Sequence, residues 1–74
     1  MATVQMDLCG LKCPQPAMKV ASQMMNLKPG DVIEAVADCE TFENDIRGVC
    51  KRCNKVLLAI KDIGGGKKMA QVQI

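Results

Sequence analysis

Seventy-four residues, 49% apolar and 24% charged, describe one ordered domain with a small core and exclude a disordered chain. Phe42 is the only aromatic, so packing depends on aliphatic residues and six Met, which favours either a soft core or an exposed methionine surface. The net charge of +2 is uneven: residues 1–46 hold three Lys and seven acids, residues 47–74 seven Lys or Arg and one acid, so an acidic partner would be steered to the second half.

Thr3–Asp7 alternates, with Val4 and Met6 on one side, and reads as a short half-buried strand. Gly10 breaks the pattern with a tight turn into Lys12 and Cys13. From Pro14 to about Leu27, the residues Ala17, Val20, Ala21, Met24 and Leu27 form one helical stripe. Pro14 suits the first helical position, where its missing amide costs nothing, and Pro16 is still within the first turn.

Lys28-Pro29-Gly30 is a turn, and Asp31–Ala37 (DVIEAVA) is a β-branched strand expected to be well buried. A turn at residues 38–41 follows, with Asp38 or Thr41 able to cap a second helix. That helix carries Phe42, Ile46, Val49, Cys50 and Cys53 at spacings of three and four, and Asn54 suits its left-handed end. Gly48 weakens its middle. Val56–Ile63 reads as a third strand, the glycines at 64–66 and two lysines as a connection, and Met69–Ile74 as a fourth strand of mixed parity. The whole predicts a two-layer α/β domain over residues 1–74, ordered βαβαββ, with a four-stranded mixed sheet and both helices on one face. The crossover between the first two strands is expected to be right-handed.

The stretch DLCGLKCPQP at residues 7–16 carries the sharpest chemistry. Cys13 stands at the mouth of the first helix, where unpaired first-turn amides and the helix dipole should favour its thiolate. Lys12 and Lys19 add positive potential, while Pro14 and Pro16 stiffen the segment. Without histidine there is no Cys-His acyl-transfer site and no evident general base, whereas sulfur exchange needs only a thiolate, a leaving group and access. Cys13 therefore reads as a sulfur acceptor and donor, with burial as a small hydrophobe as the alternative.

Cys9, four residues upstream, is close enough to resolve Cys13 by a disulfide unless the intervening Gly and Pro hold the two apart. Cys50 and Cys53 form a CxxC at a helix carboxyl end, without the amino-terminal dipole that makes such pairs reactive. Their spacing places both on the face expected to be core. Burial, thiol exchange, and metal binding with Cys39 and either Cys9 or Cys13 all remain open for them. The glycine triplet and its lysines lack the spacing of a phosphate loop and read as a basic hairpin, able to touch RNA only weakly without a stacking aromatic.

No basic region followed by a sustained apolar run opens the chain, and no stretch nears the about 18 apolar residues of a membrane span, so a cytoplasmic protein is expected. In that reducing setting five cysteines call for a role other than structural disulfides.

The stretches DLCGLKCPQPAMKV and LKPGDVIEAVADCET, with Asp45-Ile46 and Cys50, resemble the TusA/SirA family of small sulfur-carrier proteins across essentially the whole chain. The most specific piece is GLKCPQP. The resemblance implies the βαβαββ fold also seen in the carboxyl-terminal domain of bacterial translation initiation factor three. It also implies that Cys13 carries a persulfide, with Gly10, Lys12, Pro14 and Pro16 in support. The implied partners are a cysteine desulfurase or rhodanese-like sulfur donor and an acceptor protein in tRNA thiolation, molybdenum-cofactor supply or sulfur oxidation. No cofactor and no resident metal are implied.

The chain departs from the family pattern at Cys39, where a second acid is common, at Arg47 for Pro, at Lys55 for His, and in having Cys9 and Cys53. These changes surround the expected docking surface, so the tRNA-thiolation partner does not carry over directly, and the extra thiols suit a sulfur-oxidation or redox branch. Two readings from other classes stand beside the carrier: an RNA- or protein-binding regulatory module with structural cysteines, and a small thiol redox or metal-binding protein.

Overall fold

A computed structural model describes residues 2–74. Its elements run β1 (Thr3–Asp7), α1 (Gln15–Met24), β2 (Val32–Ala37), α2 (Phe42–Arg52), β3 (Val56–Gly64) and β4 (Lys67–Gln73). The sheet order is β1-β2-β4-β3, with β1 and β2 parallel and the other two pairings antiparallel. This is the expected mixed sheet in a two-layer α/β fold, with α1 and α2 over one face.

In β2 the alternation decides the layering. Ile33, Ala35 and Ala37 are buried beneath the helices, whereas Val32, Glu34 and Val36 lie half-buried on the opposite face. The strand is thus buried on one side only. α1 supplies Ala17, Val20 and Met24 to the core and α2 supplies Phe42, Ile46, Val49 and Cys50, as their stripes predict. The methionines divide: Met24 is buried, while Met18 and Met25 are 60% and 87% exposed, so the core is built chiefly of branched aliphatics and alanines and part of the methionine content faces solvent.

α1 stops at Met24, short of the expected Leu27. The amides of Met25, Asn26 and Leu27 each donate three residues back, to Ser22, Gln23 and Met24, which tightens the last turn ahead of Lys28-Pro29. Leu27 still packs against the core.

The β3–β4 connection is shorter than expected. Gly64 pairs with Lys67, leaving a two-residue loop of Gly65 and Gly66 with φ of 63° and 75°. Positive φ at both central residues is what a hairpin turn matched to strand twist requires. Lys67 and Lys68 therefore join the strand. Ala70 and Val72 are its buried positions, Met69 lies on the helix-free face, and Ile74 follows the strand's end. That explains the mixed parity.

Glu43 ties α2 to β4. Its carboxylate accepts from Arg47 at 3.0 Å and from Lys68 Nζ at 3.1 Å, and these hydrogen bonds hold its pKa below the usual glutamate range. Thr41 sits at the α2 cap but makes no side-chain cap bond, and its hydroxyl instead donates to Asp45 Oδ2 at 2.7 Å. Asp38 does not cap either: its Oδ1 accepts from the Gly10 amide at 3.0 Å. No helix is long and apolar enough to cross a membrane.

Candidate functional site

Because β1 and β2 are parallel neighbours, the loops that leave them emerge at the same sheet edge, and each leads directly into a helix. The loop after β1 carries Cys13 and the loop after β2 carries Cys39. Gly10, at φ of 86°, turns the first loop, which is joined to the second by the Gly10–Asp38 hydrogen bond and to the end of β2 by the Leu8 amide donating to the Val36 carbonyl at 2.8 Å.

Cys13 is exposed, and it is joined to Cys39 as a disulfide with a Cα–Cα distance of 5.6 Å across 26 residues of sequence. The sequence reading sought a role other than structural disulfides for the cysteines, and this bond engages the candidate nucleophile itself. The partner is not Cys9, which the sequence offered as a resolving thiol only if the local Gly and Pro did not hold the two apart. Cys9 is free and half-buried, and it lines a depression on the helix-free face with Asp7, Val36, Lys67 and Met69. The chain reversal at Gly10 separates the two sulfurs. Loss of water around Cys9, together with its hydrogen bond to the Asp7 carboxylate, pushes that thiol's pKa up.

The donors around Cys13 differ from those expected. Pro14 occupies the cap, not the first helical position, and Pro16 is buried in the first turn; neither has an amide proton. The Gln15 amide donates to the Lys12 carbonyl at 2.8 Å, leaving Ala17 as the first-turn donor of α1 without a backbone acceptor. α2 makes up for this. It begins three residues after Cys39, its Phe42 amide binds the Cys39 carbonyl at 3.1 Å, and the Glu43 and Asn44 amides have no backbone acceptor. Two helix starts therefore flank the sulfurs, and both dipoles favour negative charge there. The Cys13–Pro14 peptide is cis. Lys12 is exposed and makes no ion pair.

Asp45 opposes the dipoles. Its carboxylate lies within 4.8 Å of both sulfurs, a group that composition alone did not bring to the site. At that separation in water a charge pair interacts by about 1 kcal/mol, or about fivefold in thiolate fraction. Asp45→Asn keeps an acceptor for Thr41, so reduced Cys13 should then alkylate with iodoacetamide about fivefold faster at neutral pH, followed by mass mapping. Equal rates would mean that solvent screens the carboxylate from the thiol.

Cys13, Cys39 and Asp45 also bring two sulfurs and a carboxylate oxygen within 4.8 Å of one another, donor types that zinc accepts once the sulfurs are reduced. Cys50 and Cys53 do not join them. Cys50 is 4% exposed, and burial pushes its thiol's pKa up. Cys53 lies one residue past α2 and is exposed, so the two thiols do not share the core face that their spacing suggested. A groove of about 400 Å³ between the helices, lined by Pro14, Met18, Asp45, Gly48 and Arg52 among others, lies beside the sulfur pair. The basic hairpin is partly neutralised, since Lys68 is paired with Glu43.

A family model described as sulfurtransferase TusA matches residues 4–72, a span that includes both cysteine-bearing loops and all six elements except the first residue of β1 and the last of β4. That match covers nearly the whole chain, and with the βαβαββ fold it shows that the protein belongs to the TusA family, whose general role is to carry sulfur in a relay.

Proposed function

We propose that this chain, as one domain, carries sulfur as a persulfide on Cys13, with Gly10, Lys12, Pro14 and Pro16 shaping and supporting the loop that presents it. The observation that carries this reading is an exposed Cys13 whose position is flanked by the starts of two helices. Its thiolate attacks the outer sulfur of a donor persulfide; the donor's S–S bond breaks, Cys13 gains the S–SH group, and the donor departs as a thiolate. The reverse chemistry delivers the sulfur to an acceptor thiol. Once Cys13 is a thiolate, the exchange requires no general base. The donor is a protein of the cysteine desulfurase or rhodanese-like kind, and the carrier acts stoichiometrically, as one sulfurtransferase step in a relay in the cytoplasm.

The test is an intact mass. Reduced protein quenched early after mixing with a persulfide donor should carry a gain of about 32 Da, removable by reductant, and Cys13→Ser should abolish that early gain while Cys50→Ser and Cys53→Ser leave it. A wild-type protein that takes up no sulfur, or a gain that survives Cys13→Ser, would reject the assignment.

A further inference from the structure

We propose that Cys39 unloads Cys13 within the same chain, releasing the carried sulfur as sulfide; this rests on the carrier reading above. The Cys39 thiolate attacks the inner sulfur of the Cys13 persulfide, the Cys13–Cys39 bond forms, and hydrosulfide leaves. The balance is Cys13–S–SH plus Cys39–S⁻ giving the disulfide plus HS⁻. The two thiol sulfurs are oxidised by two electrons and the sulfane sulfur is reduced by two. A dithiol reductant then restores both thiols.

Three features carry the step. First, the Cα–Cα distance of 5.6 Å lies in the range that permits direct bonding of the two sulfurs. Second, the approach does not depend on the bond itself. The Gly10–Asp38 hydrogen bond joins the two loops, and the Phe42 amide holds the Cys39 carbonyl, so the reduced thiols remain neighbours.

Third, the Cys39 sulfur has a polar neighbour that keeps it oriented at the site. Thr41 gives its own hydroxyl proton to Asp45 at 2.7 Å, so the Thr41 oxygen, 3.8 Å from the Cys39 sulfur, is left to accept from the thiol. No other cysteine competes. Cys9 faces the helix-free side, Cys50 is buried, and Cys53 lies beyond the far end of α2, an 11-residue helix about 16 Å long. Attack on the outer sulfur would only move the persulfide from Cys13 to Cys39, without release, and mass distinguishes the two outcomes.

The experiment loads fully reduced protein with one equivalent of glutathione persulfide, removes small molecules and follows intact mass, with sulfide trapped by monobromobimane. Wild type should finish about 2 Da below its reduced mass and release one equivalent of sulfide above the background set by Cys13→Ser. Cys39→Ser should retain the gain of about 32 Da and release sulfide at least about tenfold more slowly; Cys39→Ala serves if the serine variant does not fold by circular dichroism. Equal release by wild type and a folded Cys39 variant, or a persulfide resting on Cys39, would overturn the resolving role and leave the carrier reading intact. No sulfur uptake by either protein would overturn both.

Discussion

Phe42→Ala should destabilise the protein by about 3–5 kcal/mol. Phe42 is the only aromatic in the chain, is 1% exposed, and is among the largest fully buried side chains, beside Ile33, Ile46, Val20 and Val72. At about 0.05–0.15 kcal/mol per residue, a chain of this length has roughly 4–11 kcal/mol in total, so one truncation can remove a large share of it. The remaining core is aliphatic and cannot move into a void of that size without disturbing both layers. Phe42 also opens α2, and its amide holds the Cys39 carbonyl. Loosening it should therefore be felt at the sulfur pair as well as in the core. Urea unfolding followed by circular dichroism measures the cost, with Phe42→Leu as the smaller truncation expected to lose less. A loss below about 1 kcal/mol for Phe42→Ala would show that the helices re-pack freely over the sheet.

Most of this architecture was legible because its periodicities are clean. The stripe Ala17, Val20, Met24 and the stripe Phe42, Ile46, Val49 can be read only as helices, and each is buried where its period places it. The errors fall where backbone geometry, not burial, sets the outcome. Lys67 and Lys68 read as the tail of the connection opened by the glycine triplet, yet a two-residue turn at Gly65 and Gly66 reverses the chain and carries both lysines into the ladder. The end of α1 was misplaced because Leu27 continues the apolar stripe after the helical hydrogen bonding has tightened into three-residue steps.

The site was half legible for a different reason. Cys13 announces itself locally, through its neighbours Gly10, Pro14 and Pro16. Cys39 and Asp45 do not, since their place beside Cys13 is a consequence of strand pairing. A signal did exist: two successive strand-to-helix loops must share an edge whenever their strands run parallel, and the expected crossover between β1 and β2 implied that arrangement. Sequence proximity made Cys9 the nearer thiol, but the reservation about the local Gly and Pro holds: a four-residue separation means little when the chain reverses at Gly10. The composition reasoning also equated a missing histidine with a missing proton acceptor. A carboxylate brought in by α2 occupies that neighbourhood.

Opening the Cys13–Cys39 bond should lower the stability of the fold by up to about 3.5 kcal/mol, the loop-closure contribution of a cross-link spanning 26 residues. Reduction frees the denatured chain to explore conformations that the link forbids, while the hydrogen bonds joining the two loops remain available to the native state. The oxidised protein should accordingly unfold at a higher urea concentration than the reduced one. Under reductant, the Cys39→Ser variant should match the reduced wild type, which separates the link from any packing by the Cys39 side chain. By linkage, the same free energy favours bond formation in the native protein over the unfolded chain by up to several hundredfold. Folding thus draws the release of sulfide forward and makes the dithiol that resets the pair work against the fold. Coincident unfolding midpoints for the oxidised and reduced proteins would show that the native state gains nothing from the link, and the bias toward release would go with it.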